Sequence, residues 1–214
     1  AAAPGTVMID SSTIDVGSAQ AVHEAAKSAG FNMIDAPVSG GVIGADAGTL
    51  TFMCGGDKDS FEKAKPILQG MGKNIVHCGS GGLGQATKIC NNMLAGINAL
   101  AAAEAMTMGE RLGVSPDILY EVISTSTGRS YIFETSNPMP DVCSTSPANN
   151  KFKPGFMAKL MLKDLRLSQA AAQDAKTSTP LGAAATAAFQ QLIDSGFGDL
   201  DTSSIIKVIK PESK

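Results

Sequence analysis

The stretch that decides the fold reads Gly79-Ser80-Gly81-Gly82-Leu83-Gly84-Gln85-Ala86-Thr87-Lys88-Ile89-Cys90-Asn91-Asn92, and it continues without proline to Glu110. Residues 85–110 are rich in Ala, Leu, Ile and Met, a composition that favours helix. The sequence therefore predicts one long helix over 85–110 that starts from a glycine loop. Its apolar residues lie on every side, which indicates a buried helix.

Lys88 is the informative charge of this helix. Only Lys88, Glu104 and Glu110 are charged between residues 85 and 110, and Lys88 falls in the first turn, where the helix dipole disfavours an ammonium. Burial and the dipole would both lower the pKa of Lys88, as a proton-transferring lysine requires. Asn92, one turn further on the same face, could hold a polar ligand beside the amine. Alternatively, Lys88 extends to solvent and Asn92 is simply hydrogen-bonded in the core.

The glycines also match a dinucleotide-binding fingerprint, Gly79-x-Gly81-x-x-Gly84, with the acid Glu104 about twenty residues further on. A true fingerprint has its acid at the end of the next strand of a βαβ unit. Glu104 lies in an Ala-rich run with no strand signal before it, so we reject this interpretation.

The composition of the 214 residues, 43% hydrophobic and 17% charged, is that of an ordinary globular protein. A net charge of -3 and the lack of a basic run argue against nucleic-acid binding. No segment is long and apolar enough to predict a membrane span. The four cysteines show no CxxC spacing and only two histidines are present, so we predict no metal site and expect reduced, mostly buried thiols.

Residues 1–80 alternate strands and helices, which predicts an α/β arrangement. The predicted elements are strand Thr6–Asp10, helix Ile14–Ala29 closed by Gly30, strand Phe31–Asp35, a loop over 42–48, strand Thr49–Cys54, helix Asp59–Gln69 and a fourth, edge strand Asn74–Cys78. Thr13 precedes the first helix and is most simply its N-cap.

Ser39-Gly40-Gly41 follows Pro37 at the end of the second strand. Glycines leave backbone N–H groups open, so this turn could form an anion-binding nest that suits a carboxylate. A tight turn that needs positive φ at Gly40 explains the same residues equally well.

After Gly81 the patterns are helical, so we place a domain boundary between an α/β domain, 1–80, and an all-helical domain, 81–214. Further helices are predicted over 116–125, 156–176, 180–195 and 202–209. Residues 126–155, rich in Ser, Asn and Pro, are predicted to be a long loop that is functional or disordered. Lys163 is most simply a solvent-exposed residue of its helix.

The chain resembles the β-hydroxyacid dehydrogenases in three motifs that occur in the same order: Asp35-Ala36-Pro37-Val38-Ser39-Gly40-Gly41, Gly82-x-Gly84-x-x-x-Lys88-x-x-x-Asn92 and Lys163-Asp164-Leu165. Three motifs in register are far more specific than any one of them. Asn137-Pro138-x-Pro140 and Pro154-Gly155-Phe156 resemble the 3-hydroxyisobutyrate branch in particular. The resemblance runs from Thr6 to the C-terminal helix.

The resemblance implies NAD-dependent oxidation of 3-hydroxyisobutyrate to methylmalonate semialdehyde in valine breakdown. Lys88 would be the general acid/base and Asn92 would hold the substrate oxygen. The substrate carboxylate would bind the turn formed by Ser39, Gly40 and Gly41. Thr13 and Lys163 would line the nicotinamide end of the cofactor, with Asp164 orienting Lys163.

The resemblance also implies the rest of the architecture. The segment that carries the family's cofactor fingerprint is absent from this sequence, which we interpret as a missing N-terminal third. The remainder would be the C-terminal part of a Rossmann-type domain, then a helical domain like that of 6-phosphogluconate dehydrogenase, built on one long helix. A homo-oligomer, dimer or tetramer, is expected, in the mitochondrial matrix or, for a bacterial protein, the cytoplasm.

Two alternatives remain at this point. The chain could be a glyoxylate or succinic semialdehyde reductase of the same family. It could also be a truncated, non-catalytic dimerisation module that keeps the fold without the chemistry.

Overall fold

The structure is a computed structural model that describes residues 2–3 and 5–211. The chain divides into two compact units, Ala1–Asn91 and Asn92–Lys214, and the division falls within its longest helix. We refer to them as the N-terminal and the C-terminal unit. The predicted domain boundary between residues 80 and 81 stays a prediction.

The N-terminal unit alternates strands and helices, as predicted. Its strands are β1 (Val7–Asp10), β2 (Asn32–Asp35), β3 (Val38–Ser39), β4 (Leu50–Gly55) and β5 (Gly72–Gly79), and its helices are α1 (Val16–Ser28), α2 (Gly41–Asp46) and α3 (Lys58–Leu68), followed by the start of α4 (Leu83–Arg111). Ile34, Phe52 and Leu68 are fully buried in its core.

The five strands form one mixed sheet. β1 and β2 pair in parallel, with Asp10 opposite Asp35, and β4 and β5 also pair in parallel. β4 runs antiparallel to β2 at the Asp35–Gly55 pair and to β3 at the Ser39–Thr51 pair. Among the described strands only β4 pairs with β5, so β5 lies at an edge of the sheet, as predicted for this segment.

Three local predictions for this unit are wrong. The N-cap of α1 is Asp15 and not Thr13, because the Asp15 carboxylate accepts from Ser18 N at 2.7 Å; this backbone hydrogen bond lowers the pKa of Asp15. Residues 42–48 hold most of the short helix α2, where a loop was predicted. The sheet has five strands, since the chain after Pro37 pairs again with β4 as β3.

The C-terminal unit is built from helices among its described residues. It contains the remainder of α4, then α5 (Pro116–Ser124), α6 (Tyr131–Thr135), α7 (Ala158–Asp174), α8 (Pro180–Asp194) and α9 (Ile206–Ile209), with 3-10 turns at Pro147–Asn150 and Thr202–Ile205. The core of this unit is centred on the fully buried side chains of Met106, Leu165, Phe189, Leu192 and Ile205. An α/β unit followed by a helical unit confirms the predicted fold class.

The long helix is also confirmed, but its burial is not uniform. Ile89, Ala103 and Met106 are buried, whereas the side chains of Leu94 and Met108 are 57% and 62% exposed. The prediction of burial on every side is therefore wrong within this chain, because one face of α4 is left uncovered. No helix in the described part of the chain has the length and apolarity to cross a membrane.

Residues 126–155 are more ordered than predicted, since they contain α6 and a 3-10 turn. Their polar side chains bond to the segment itself: Asn137, fully buried, donates to Phe133 O and accepts from Met139 N, while Ser146 Oγ donates to Asn137 O. All four thiols are free. Cys54 and Cys143 are buried, Cys78 is half-buried and Cys90 is exposed, so burial was predicted correctly for only two of them.

Candidate active site

Lys88 and Asn92 lie in α4, one turn apart, and both are buried, with only 7% and 5% of their surfaces exposed. Because burial of a lysine is rare, this supports the functional interpretation of Lys88 over a side chain that extends into solvent. Both residues take part in polar interactions, so neither is an isolated buried group.

A buried carboxylate connects Asn92 with Lys163 in the C-terminal unit. Asp164, 2% exposed, accepts a hydrogen bond from Asn92 Nδ2 on its Oδ2 at 2.5 Å. Lys163 Nζ lies 3.0 Å from Asp164 Oδ1, at ion-pair distance. Oδ1 nevertheless accepts no well-directed hydrogen bond among the described residues. The sequence alone favours a solvent-exposed Lys163. In the structure its side chain is 46% exposed, so it is only partly in contact with solvent.

A glycine in α4 allows this contact. A Cβ at Gly96 would lie 3.0 Å from Leu165 Cδ2 and 3.2 Å from Met161 Sδ, so α7 packs tightly on α4 at this position. Gly96 is one turn after Asn92 and Leu165 follows Asp164. The close packing of the two helices therefore brings Asp164 to Asn92.

A second buried carboxylate holds the start of α4 in the N-terminal unit. Asp35, 1% exposed at the end of β2, accepts from Gly82 N on Oδ1 at 2.8 Å and from Gln85 N on Oδ2 at 2.9 Å. His23 Nε2 donates to the same Oδ1 at 2.8 Å. Sequence reasoning missed this role, although a signal exists: Gly81 and Gly82 precede the helix and offer no side chain to cap it, so its free N–H groups need an acceptor from elsewhere.

Gln85 holds the loop that carries Thr13. Its fully buried side chain donates to Ser12 O at 2.7 Å and accepts from Ile14 N at 3.2 Å. Thr13 lies between these two bonded residues and is half-buried. The start of α4 and the loop after β1 are thus fixed to each other by one amide.

The predicted carboxylate-binding turn lies between β3 and α2. Gly40 has φ of +134° and Gly41 has φ of +60°, so the positive φ expected at Gly40 is confirmed. Both glycines are exposed and Ser39 is half-buried. Backbone groups of this turn are therefore accessible to a ligand.

The glycines of the rejected fingerprint contact protein instead of open space. A Cβ at Gly84 would lie 2.3 Å from Met53 O and 2.6 Å from Asp35 Oδ2, and one at Gly81 would lie 2.6 Å from the His23 ring. The Asp35 carboxylate already occupies the position that a phosphate would take at the helix start. This geometry argues against pyrophosphate binding at these glycines.

Two family models together match almost the whole chain. Residues 1–79 match the NAD binding domain of 6-phosphogluconate dehydrogenase, and residues 82–209 match the NAD-binding domain of NADP-dependent 3-hydroxyisobutyrate dehydrogenase. The fold and these family matches thus define a nicotinamide-dependent dehydrogenase.

Individual relatives narrow this class. An NAD-dependent L-serine dehydrogenase of Pseudomonas aeruginosa is 44% identical over 98% of this chain and 70% of its own length. The mitochondrial 3-hydroxyisobutyrate dehydrogenase of Drosophila melanogaster is 42% identical over 97% of this chain and 64% of its own. A solved structure of Mycobacterium tuberculosis 3-hydroxyisobutyrate dehydrogenase with L-serine has a TM-score of 0.92 and 45% identity, covering 98% of this chain and 72% of that one.

The chain belongs to the 3-hydroxyisobutyrate dehydrogenase family. It is therefore an NAD-dependent hydroxyacid dehydrogenase, and NAD is its cofactor. The resemblance drawn from the three motifs is confirmed.

Proposed function

We propose that the substrate is 3-hydroxyisobutyrate and the product methylmalonate semialdehyde, with Lys88 as general acid/base. The observation that carries the proposal is a buried lysine in the first turns of α4, one turn from a buried asparagine. The names of several relatives support the substrate.

Lys88 acts on the substrate hydroxyl. Its neutral amine accepts the hydroxyl proton while the carbinol carbon loses its hydride, so that the C–O bond becomes an aldehyde carbonyl and the amine becomes an ammonium. In the reverse direction the ammonium returns this proton to the carbonyl oxygen. NAD, when bound, takes up the hydride. Because Lys88 is buried, little water competes for the proton.

Asn92 holds the substrate oxygen in this proposal, and Asp164 fixes the Asn92 amide by accepting from its Nδ2. With one N–H engaged, the amide keeps a defined orientation, as positioning requires. The turn formed by Ser39 and the exposed Gly40 and Gly41 would receive the substrate carboxylate.

The residues assigned to the nicotinamide end fit that group chemically. The Thr13 hydroxyl and the Lys163 ammonium are hydrogen-bond donors suited to carboxamide and ribose oxygens. Asp164 Oδ1, buried and without a well-directed hydrogen bond among the described residues, has acceptor capacity for a carboxamide N–H. These residues would hold the nicotinamide and orient it toward the substrate.

L-Serine is the second candidate substrate, and two relatives favour it: one is named an L-serine dehydrogenase, and another has a solved structure with L-serine. Serine and 3-hydroxyisobutyrate share a carboxylate and a primary hydroxyl on the same three-carbon frame. Serine carries an ammonium at the carbon where 3-hydroxyisobutyrate carries a methyl group. A pocket that hydrogen-bonds or solvates this charge favours serine, whereas an apolar pocket favours 3-hydroxyisobutyrate.

We also propose a homo-oligomer, because α4 leaves Leu94 and Met108 exposed and uncovered apolar surface favours association. Relatives include mitochondrial and bacterial proteins. The proposed location is accordingly the mitochondrial matrix for a eukaryotic source and the cytoplasm for a bacterial one.

The test follows the absorbance of reduced nicotinamide with the full-length protein. kcat/KM is compared for 3-hydroxyisobutyrate and L-serine, and for reduction of glyoxylate and succinic semialdehyde; the proposal requires 3-hydroxyisobutyrate to be the best. Lys88→Ala should lower kcat by about 10²- to 10⁴-fold. The matched control Lys63→Ala removes an exposed lysine of α3 and should leave kcat within about twofold. Turnover of Lys88→Ala within about tenfold of the parent would contradict the role of Lys88.

A further inference from the structure

We propose that Asp35 is a positioning residue of the reaction: its carboxylate fixes the first turn of α4 and so sets the place of Lys88. This inference rests on the acid/base role proposed for Lys88. Its evidence lies entirely within the N-terminal unit.

The start of α4 depends on Asp35 for its cap. The first N–H groups of any helix lack partners within the helix, and Gly81 and Gly82 bring no side chain that could accept from them. Asp35 accepts from two of these groups, Gly82 N and Gln85 N, one with each carboxylate oxygen. Lys88 follows Gln85 by three residues, so a shift or tilt of the first turn moves Lys88 with it.

The carboxylate itself has little freedom. Asp35 is 1% exposed and its Oδ1 also accepts from His23 Nε2 of α1. A Cβ at Gly55, opposite Asp35 in β4, would lie 2.4 Å from Oδ1, and one at Gly84 would lie 2.6 Å from Oδ2. Glycine is thus required on both sides of the carboxylate. An ordinary N-cap needs no such enclosure, so the tight fit indicates that the position of the helix matters as well as its stability.

Asp35 also ties α4 to the other proposed binding segments. Along the chain it precedes Ser39 by four residues, at the end of the strand that leads into the carboxylate-binding turn. Through the helix start it fixes Gln85, whose amide holds the loop on either side of Thr13. One carboxylate therefore sets the mutual positions of three segments to which the proposed function assigns ligands.

The test is Asp35→Asn in the full-length protein. The amide keeps one acceptor oxygen, but its NH₂ group faces a donor N–H, so at least one of the three hydrogen bonds is lost. We expect kcat per NADH-binding site to fall about tenfold or more, since a misplacement of about 1 Å can cost about 10²-fold. The KM for the hydroxy acid should change by less than about threefold. Binding sites are counted by titration of NADH fluorescence.

The matched control is Asp57→Asn, which weakens the N-cap of α3, a helix with no proposed site residue. Asparagine caps a helix nearly as well as aspartate, but the loss of the charge at the helix start and of the hydrogen bond from Ser60 Oγ should lower the melting temperature, while kcat per site stays within about twofold. An unchanged kcat per site in Asp35→Asn, with only the melting temperature or the number of sites reduced, would overturn the proposal. That result would show a structural role alone.

A second variant serves if Asp35→Asn does not fold. His23→Ala removes one of the three donors and leaves both helix contacts of Asp35, and it should lower kcat per site by at least about twofold without changing KM. An unchanged kcat per site in folded His23→Ala would then overturn the proposal. Lys88→Ala is assayed in parallel to separate the two proposals. Full activity of Lys88→Ala would contradict the proposed function. If Lys88→Ala is inactive but Asp35→Asn keeps its kcat per site, only the positioning role of Asp35 is contradicted.

Discussion

Replacing Asp164 by alanine should destabilise the protein mainly through Asn92 and only slightly through Lys163. The Asn92 amide is buried and donates to a carboxylate, so its loss leaves a buried donor without an acceptor and costs about 1.5–3 kcal/mol. Lys163 is 46% exposed and reaches solvent, so its ion pair contributes about 0–1 kcal/mol. The free energy of unfolding should therefore fall by about 1.5–4 kcal/mol.

Double-mutant cycles separate the two contributions. Urea unfolding, followed by circular dichroism, is measured for Asp164→Ala, Asn92→Ala, Lys163→Ala and the two double variants. The coupling energy between Asp164 and Asn92 should exceed about 1 kcal/mol, and that between Asp164 and Lys163 should stay below about 1 kcal/mol. The exposed Asp174, at the end of the same helix, is the matched control: Asp174→Ala should change stability by less than about 0.5 kcal/mol.

An Asp164–Asn92 coupling energy below about 0.5 kcal/mol would contradict this prediction, and so would a larger coupling energy for the Asp164–Lys163 pair. The first outcome would mean that the buried hydrogen bond is replaced by other partners in the variant. The second would mean that Lys163 is shielded from solvent in solution. Activity gives an independent reading, because loss of the Asp164 carboxylate should lower kcat even where the protein is fully folded.

Two further predictions concern packing and thiol reactivity. Gly96→Ala gains about 1 kcal/mol of helix propensity, but its Cβ would lie 3.0 Å from Leu165, and the resulting overpacking costs about 1–3 kcal/mol. Thermal unfolding should therefore show a net loss of stability, and kcat should fall because Asp164 is displaced. A stabilised, fully active variant would contradict this prediction. Burial raises the pKa of the Cys54 thiol to about 12, whereas Cys90 is exposed. Iodoacetamide at mildly alkaline pH should therefore modify Cys90 first and spare Cys54 until the protein unfolds. Equal rates of modification, measured by peptide mass spectrometry, would contradict the structure.

The long helix could be predicted because its evidence is local. Residues 85–110 have no proline and a continuous helix-forming composition, and α4 spans Leu83–Arg111. The sequence does not decide where α1 begins, since Thr13 and Asp15 are both good capping residues. Only the hydrogen bond to Ser18 N decides for Asp15, and the propensities do not contain this information.

The two carboxylates could not be placed from sequence because their partners are remote. Asp35 lies 47 residues from Gly82, and Asp164 lies 72 residues from Asn92. Periodicity tells which face of an element is buried but not which residue it meets there. The motif that contains Asp35 also contains Ser39 and two glycines, and only the backbone chemistry of the turn is visible in the sequence.

The segment 126–155 shows the opposite limitation. Its Ser, Asn and Pro content predicts a loop, and a long loop without periodicity was expected to be functional or disordered. The structure orders it by side-chain bonds to its own backbone, with Asn137 fully buried at the centre. The same residue types produce solvated loops and compact ones, and only the geometry of their hydrogen bonds distinguishes the two.

The part of α4 between Gly82 and Asn92 is held at both ends by carboxylates that belong to other elements. Asp35 accepts from the backbone at its beginning and Asp164 accepts from the side chain at its end, each within its own unit. Lys88 lies between these two anchors on one continuous helix. A lysine side chain has four rotatable bonds and loses much entropy when it is ordered, so the helix that carries it must not add motion of its own. Fixing the backbone at the helix start and the Asn92 side chain at the other end is how this chain would limit the motion of Lys88 to its side-chain torsions.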